Sequence, residues 1–365
     1  MENIKLFYPN IYKKEWLKAL DKVFDTRWIG QGPLVDEFET KFGDKFNYDY
    51  CLAVNSGSAA LNLAYDLIGI GKKDEVLSSV LTCTATNLPL VHRGAKIKFL
   101  DVNYKLLANY EDIAKKITRK TKAIVVVNLG GLQVDERIFK LAKEKKIPVV
   151  VDACQSLGIS EKYGDYICYS FQAIKHFTTG DGGMLVIRDK DEYQKAKKLR
   201  WFGIDREAKK RANWNCAVNH QVAMEIEELG YKYHMNDISA AIGLVGLKHS
   251  DEILKHREKL CNAYIKGLPQ LKVVCGGAYW LVALLTDKRD AILDYLQARG
   301  IECDLVQLRN DIFKVFGGKK QDLPNMNRLE NEYLYLPLTP IMTLKDVNHI
   351  VRSIIECLEQ LSSLE

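Results

Sequence analysis

Between two short apolar runs, Tyr166–Ser170 (YICYS) and Met184–Ile187 (MLVI), the chain carries Gln172-Ala173-Ile174-Lys175-His176-Phe177-Thr178-Thr179-Gly180-Asp181-Gly182-Gly183. A lone lysine between strands is commonly a solvated surface residue. Lys175, however, follows Ala173-Ile174 and precedes a glycine-rich stretch that lets backbones pack closely, so its amine is expected at a cavity. Held partly out of water, a lysine amine is a competent nucleophile toward an aldehyde. A second group closes another apolar run, Val149-Val150-Val151-Asp152, with Gln155 three residues on. Ligands of open α/β sheets sit at the carboxyl ends of strands, where a carboxylate is costly without a positive partner. The competing reading makes Asp152 the cap of the helix that follows. The third group is Asn55-Ser56-Gly57-Ser58-Ala59-Ala60-Leu61, a small-residue turn opening into a helix. Free amides and the positive end of the helix dipole make such a start a phosphate site, to which Ser58 adds a hydroxyl. A serine-capped helix after a glycine turn is also ordinary structure.

Taken together, a phosphate cradle, a carboxylate and an amine are the set that pyridoxal 5′-phosphate (PLP) requires. The lysine binds the aldehyde, the aspartate keeps the pyridine nitrogen protonated, and the helix start holds the phosphate. The separation of Asp152 from Lys175 accommodates one strand between neighbouring sheet positions.

The elements that would position these groups alternate. Ala123–Asn128 (AIVVVN), Val149–Asp152, Tyr166–Ser170 and Met184–Ile187 are rich in β-branched or aromatic residues, as buried strands are. Asp135–Lys146, with apolar Ile138, Phe139 and Ala142, predicts an amphipathic crossover helix and hence a βαβ unit in a largely parallel sheet. Upstream, Ser58–Ile68 predicts a helix, and Glu75–Ser79 and Lys96–Asp101 predict strands. Asp237–Leu254 predicts a long helical stretch. Beyond it the order becomes strand (Ala278–Thr286), helix (Lys288–Arg299), strand (Ile301–Leu308) and final helix (Leu344–Leu361). That is the pattern of a second, smaller α+β domain, with residues 1–250 forming the large domain and 251–365 the small one.

A length of 365 residues suits about two domains, and 47% hydrophobic with 27% charged residues excludes a disordered or collagenous chain. The net charge of +6 comes from 53 Lys+Arg against 47 Asp+Glu spread along the chain, a solvated surface and a poor case for nucleic acid. Nine cysteines, odd in number and never in a C-x-x-C pair, disfavour a disulfide framework and a zinc ribbon, so no metal is expected. Met1–Asn10 has no apolar signal core and no run of 18 apolar residues occurs, which predicts a cytoplasmic chain without a membrane span.

At these residues the sequence strongly resembles the fold-type I PLP enzymes, and among them the nucleotide-sugar aminotransferases of the DegT/DnrJ/EryC1/StrS group. The matching pieces are Trp28-Ile29-Gly30-Gln31-Gly32-Pro33 with Val35 and Phe38-Glu39, Asn55–Leu61, Asp152–Gly158, Ser170–Gly183, Gly230–Gly243 and Tyr333–Pro340. They span nearly the whole chain, and the Ser-Phe-x-x-x-Lys-x-x-Thr-Thr-Gly-x-Gly-Gly pattern is specific to that group. The resemblance implies an aspartate-aminotransferase-like α/β fold. Its large domain would hold a mostly parallel seven-stranded sheet flanked by helices, and a smaller C-terminal α+β domain would follow. It also implies a homodimer with two active sites at the interface.

Carried over residue by residue, Lys175 resembles the Schiff-base lysine, Asp152 the partner of the pyridine nitrogen, and Gln155 the residue bonded to the phenolic oxygen. Gly57, Ser58 and Ser170 match the phosphate site, and Lys232–Met235 matches a stretch that reaches into the neighbouring subunit's site. The chain also departs from the group. Gln172-Ala173 stand where His-Pro is frequent, Cys83 where an aromatic residue stacks on the ring, and Lys232-Tyr233-His234-Met235 where Asn-Tyr-Arg-Met is usual. A common histidine is replaced near Gln307-Leu308-Arg309-Asn310-Asp311. Trp201, Arg206, Tyr233 and Arg309 are the candidate substrate residues, although Trp201–Arg206 also reads as a packed turn. His176 reads as structural, because adjacent residues point apart.

The implied reaction moves an amino group from L-glutamate to a nucleotide-linked keto-deoxy sugar, a 4-keto-6-deoxyhexose. A 3-keto substrate, a PLP-dependent sugar dehydratase and a silent PLP-binding regulator are the alternatives. The dehydratase branch, in which histidine replaces the lysine, is disfavoured by the presence of Lys175.

Overall fold

The computed structural model describes residues 3–206, 226 and 228–363; Cys216 lies outside them. Seven short strands build the main sheet: β1 (Cys51–Val54), β2 (Glu75–Ser79), β3 (Lys96–Leu100), β4 (Thr121–Val127), β5 (Val149–Asp152), β6 (Tyr166–Ser170) and β7 (Gly183–Ile187). Their spatial order is β1-β7-β6-β5-β4-β2-β3. The five strands from β6 to β3 run parallel, while β7 is antiparallel to both β6 and β1. Helices cover both faces, so the central strands are buried throughout, which is why they read as continuous apolar runs in place of alternating ones.

Between β4 and β5 runs the expected crossover helix, Glu136–Lys145, capped by the Asp135 carboxylate on Arg137 N, with Ile138, Phe139 and Ala142 buried. A smaller antiparallel sheet joins β8 (Lys272–Val274), β9 (Val282–Leu285) and β10 (Tyr333–Leu336) in the order β10-β9-β8. Its core is shared with the helices Ser250–Gly267 and Leu344–Ser362. No helix among the described residues is long and apolar enough to cross a membrane.

Four expectations are corrected. The stretch Ile301–Leu308 is not a strand: Val306 has φ 58°, which breaks the extended chain and leaves only single bridges at Ile301, Asp304 and Arg309. The strand read over Ala278–Thr286 shrinks to β9, because Tyr279 has φ 53° and the amides of Ala278 and Trp280 are spent on the carbonyls of Gly131 and Gly130. The long helical stretch over Asp237–Leu254 is divided into two helices, Asp237–Lys248 and Ser250–Gly267, interrupted at His249 (φ −91°, ψ 0°). The His249 ring is held there by Glu15 at 2.7 Å and stacks on Tyr12. Finally, Cys261 and Cys275 are joined in a disulfide with Cα atoms 6.3 Å apart, where unpaired cysteines were expected.

Candidate active site

Asp152 ends β5 in register with Val127 of β4 and Cys168 of β6, at the carboxyl edge of the parallel strands. Its side chain is buried. One oxygen accepts from the Thr86 hydroxyl at 2.7 Å and the other from the Cys154 amide at 3.1 Å. Thr86 is held in turn by the Thr82 hydroxyl at 2.8 Å. The carboxylate therefore bonds the next turn, but no helix follows β5, so Asp152 is not the helix cap of the competing reading. It nevertheless has no cationic partner among the described residues, and a buried carboxylate in that state is costly until a cation arrives.

Lys175 lies just beyond the end of the neighbouring strand, β6. It occupies the last position of a turn closed by its own amide on Gln172 O at 2.9 Å. The loop that presents it is tied at its base. Phe171 N donates to Gly182 O, and both Thr179 N and the Thr178 hydroxyl donate to Phe171 O at 2.9 Å. Phe171 and Phe177 stack at 5.0 Å beneath the loop and join the Phe38–Phe42 aromatic cluster. These contacts fix the turn while leaving Lys175 half-buried.

The helix Gly57–Ile68 begins beside both groups. Ser56 caps it by accepting from Ala59 N at 3.0 Å, and Ala60 N donates to Ser56 O. That leaves the amides of Gly57 and Ser58 as the unsatisfied donors of the first turn among the described residues. Gly57 is required by close approach: a Cβ there would stand 2.8 Å from Ser170 Cβ and 3.0 Å from Cys154 Sγ. Glycine at 183 is needed for the same reason, since a Cβ would meet Ser56 O at 2.5 Å. The helix start, the Ser170 hydroxyl and the end of β5 thus converge, with Ser58 exposed. Gln155 is buried, and its Oε1 accepts from Gly130 N at 2.7 Å, so the amide nitrogen is the end left for a ligand.

This arrangement fits PLP on its own chemistry. The two open amides of the helix start lie close to the Ser170 hydroxyl, as a phosphate needs. A buried carboxylate without a cation suits a pyridinium N–H, and an amine stands in the turn that follows the adjacent strand. Around it, burial together with Asp152 pushes the Cys154 thiol well up. Burial likewise pushes the His176 ring down to about 3. His176 donates from Nε2 to Ala278 O at 2.6 Å and faces the core, as its structural reading predicted.

The remaining candidates separate. Lys232 and Tyr233 lie against the chain's own helix start: Asn55 Nδ2 donates to Lys232 O at 3.0 Å and Asn55 N to Tyr233 O at 2.7 Å. The Tyr233 hydroxyl accepts from Asn62, and its ring stacks on Tyr231 at 4.5 Å, while the Lys232 side chain is exposed. Trp201 and Arg206 stack on each other at 5.1 Å. Arg206 borders a groove of about 580 Å³ lined by Gln31, Asp36, Glu39 and Arg200 that does not include Lys175. Arg309 is turned away altogether. Its guanidinium is buried and gives all five N–H donors to Asp311, Asn327, Glu330 and Gln321 O, leaving none for a substrate. The same stretch does approach the site through Asn310, whose side chain donates to Thr82 O at 2.8 Å.

Three participants escaped the sequence reading. Thr86 is marked only by the Thr-rich run 82–86, Gly130 by a Gly-Gly pair, and Trp280 by nothing local, since it lies just before β9 and meets Lys175 only in the fold.

Comparison with known proteins places the chain in a family. Residues 10–355 match the model of the DegT/DnrJ/EryC1/StrS aminotransferase family. The chain is 31% identical to GDP-perosamine synthase of Escherichia coli O157:H7 over 374 residues, covering 98% of this chain and 99% of that one. Among solved structures, the aminotransferase TlmJ from Streptoalloteichus hindustanus superposes with a TM-score of 0.89 at 28% identity, covering 98% of this chain and all of that one. Spr1654 of Streptococcus pneumoniae, solved in a PLP form, shares the fold at a TM-score of 0.89 and 23% identity, covering 98% of this chain and 99% of that one.

Proposed function

Because the chain belongs to the DegT/DnrJ/EryC1/StrS aminotransferase family, we propose that this PLP-dependent transaminase moves an amino group from L-glutamate to the ketone of a nucleotide-linked keto-deoxy sugar, a 4-keto-6-deoxyhexose. The observation that carries the reading is the placement of an unpaired buried Asp152 at one strand end and a half-buried Lys175 in the turn that follows the adjacent strand, beside the open first turn at Gly57. The similarity to GDP-perosamine synthase supports a nucleotide-linked amino sugar as product.

When bound, PLP supplies an aldehyde that takes up the amino group and a ring that accepts the electron pair released at the substrate carbon. The chain supplies the rest. The Gly57 and Ser58 amides with the Ser58 and Ser170 hydroxyls hold the phosphate. Asp152 holds a proton on the ring nitrogen, and Thr86 and Cys154 N fix that carboxylate in place. Gln155, clamped by Gly130 N, orients the phenolic oxygen through its amide nitrogen. Lys175 Nζ would take the proton from the donor carbon as general base and, as general acid, deliver it to the cofactor carbon that bears the amino group.

We place Lys232 at the phosphate of a partner subunit in a homodimer. The exposure of Ile11, Leu17, Phe24, Trp28 and Ile29 on and beside the helix Lys13–Thr26 supports an assembly that covers them. The experiment is an absorbance spectrum of the PLP-loaded protein before and after L-glutamate, followed by mass and NMR assignment of the product from a panel of nucleotide keto sugars. Loss of the near-visible band with glutamate and a 4-amino product are expected. An unchanged spectrum contradicts the donor, and amination at C3 contradicts the ring position.

A further inference from the structure

The amine of Lys175 faces an aromatic ring. Lys175 Nζ stands 4.6 Å from the centroid of the Trp280 ring, and among the described residues no carboxylate or carbonyl bonds it. Trp280 is 2% exposed, so this is a buried indole aimed at a half-buried amine. Its position is fixed at three points. Its amide donates to Gly130 O at 3.1 Å, its carbonyl accepts from Arg257 Nη1 at 3.0 Å, and its Nε1 donates to Ile174 O at 3.4 Å, one residue before the lysine. Tyr279, the residue before it, is held at φ 53°, a backbone conformation that persists only where the surroundings impose it. Gly130 also holds Gln155, so one glycine locks both the indole and a cofactor-facing amide.

We propose that Trp280 is a positioning residue for Lys175: its indole face is the seat on which the amine rests while it carries a proton. The proposal rests on the reading of Lys175 as the reacting amine. A base that accepts a proton from one carbon and returns it to another must exist briefly as an ammonium, in a site where full charge is poorly solvated. An indole face is the strongest of the aromatic seats for an ammonium, and it does this without a carboxylate, which would trap the proton in an ion pair. The other titratable groups facing this amine are consistent with that role. Cys154 and His176 are the titratable groups that interact with its charge, Cys154 lying beside Asp152 and His176 beside Arg257. His176 is kept neutral by burial, and Arg257 is engaged on the carbonyls of Tyr279, Trp280 and Leu338.

The test uses the full-length apoprotein, so that the readout is independent of turnover. Trace acetylation with acetic anhydride across a pH series, read by mass spectrometry of the Lys175 peptide, gives the pH of half-maximal labelling. For Trp280→Leu the midpoint falls by about half a unit to one unit, a change of roughly three- to tenfold in the protonation equilibrium, and Trp280→Phe falls by about half as much. A purely structural tryptophan would leave the midpoint in place. If the leucine variant does not fold by circular dichroism, the phenylalanine variant decides. A wild-type midpoint in a folded variant overturns the proposal. Titration of the same proteins with PLP separates this failure from the other: a wild type that takes no PLP on Lys175 refutes the parent reading, whereas PLP uptake with an unmoved midpoint refutes only the role of Trp280.

Discussion

Two buried clusters of charge differ in what they leave undone. At the ends of β5 and β6, Asp152 is met only by a hydroxyl and an amide, and Lys175 by an aromatic ring. At Arg309, also buried, a bidentate pair with Asp311 at 2.6–2.7 Å is supplemented by Glu330, Asn327 and the Gln321 carbonyl. Both contain residue types that bind anions or cofactors. The first keeps its capacity for a ligand, and the second consumes it internally, so the state of the donors, more than burial or charge, distinguishes a site from a staple.

Substitution pulls the two apart. Lys175→Ala removes both the attachment point and the base, so transamination falls at least about ten-thousandfold and the near-visible band of the PLP-loaded protein disappears while circular dichroism is unchanged. Arg309→Leu does the opposite. It strands Asp311 without its cation and lowers stability by about 3 to 5 kcal/mol in urea unfolding, yet the surviving folded protein transaminates within a few-fold of wild type. A hundredfold loss of rate in folded Arg309→Leu would return that residue to the site. Asp152→Asn removes the charge while its Oδ1 still accepts from Cys154 N, and the bond to Thr86 has to reverse, with Nδ2 donating to the hydroxyl. Its half-reaction with glutamate slows at least about a hundredfold, roughly 2.7 kcal/mol of barrier, measured by stopped-flow absorbance, and a near wild-type rate sinks the assignment.

The smallest effect concerns pH. Burial holds His176 at about 3, against an ordinary 6.5. Because the folded value is the lower one, the stability gained by keeping the ring neutral is complete above pH 6.5 and is lost as pH falls toward 3. Between pH 7 and pH 5 the loss is about 2 kcal/mol. His176→Gln should flatten that slope in urea unfolding at the two pH values.

How much of this was legible depends on how local each signal is. β5 and β6 were readable to the residue because strands buried on both faces are uninterrupted apolar runs, and a polar residue at the carboxyl end of such a run, Asp152, or just past it, Lys175, stands out. β1 (CLAV) has a single β-branched residue against three in β5 and so does not declare itself, and the run Ala278–Thr286 reads as a longer strand than β9 because half of it serves the Gly130–Gly131 contact in place of a sheet. Arg309 was a plausible substrate residue until its partners, drawn from residues up to 21 positions away, came together. Trp280 could not be assigned from sequence, because its meaning lies in a contact with a residue 105 positions earlier in the chain.

The claim that Lys175 is the reacting amine is tested most directly by loading the protein with PLP, reducing it with borohydride, and mapping the adduct by peptide mass spectrometry. A single pyridoxyl group on the peptide containing Lys175, absent in Lys175→Ala, is the predicted result. An adduct on another lysine, or one retained at full yield in Lys175→Ala, would contradict it.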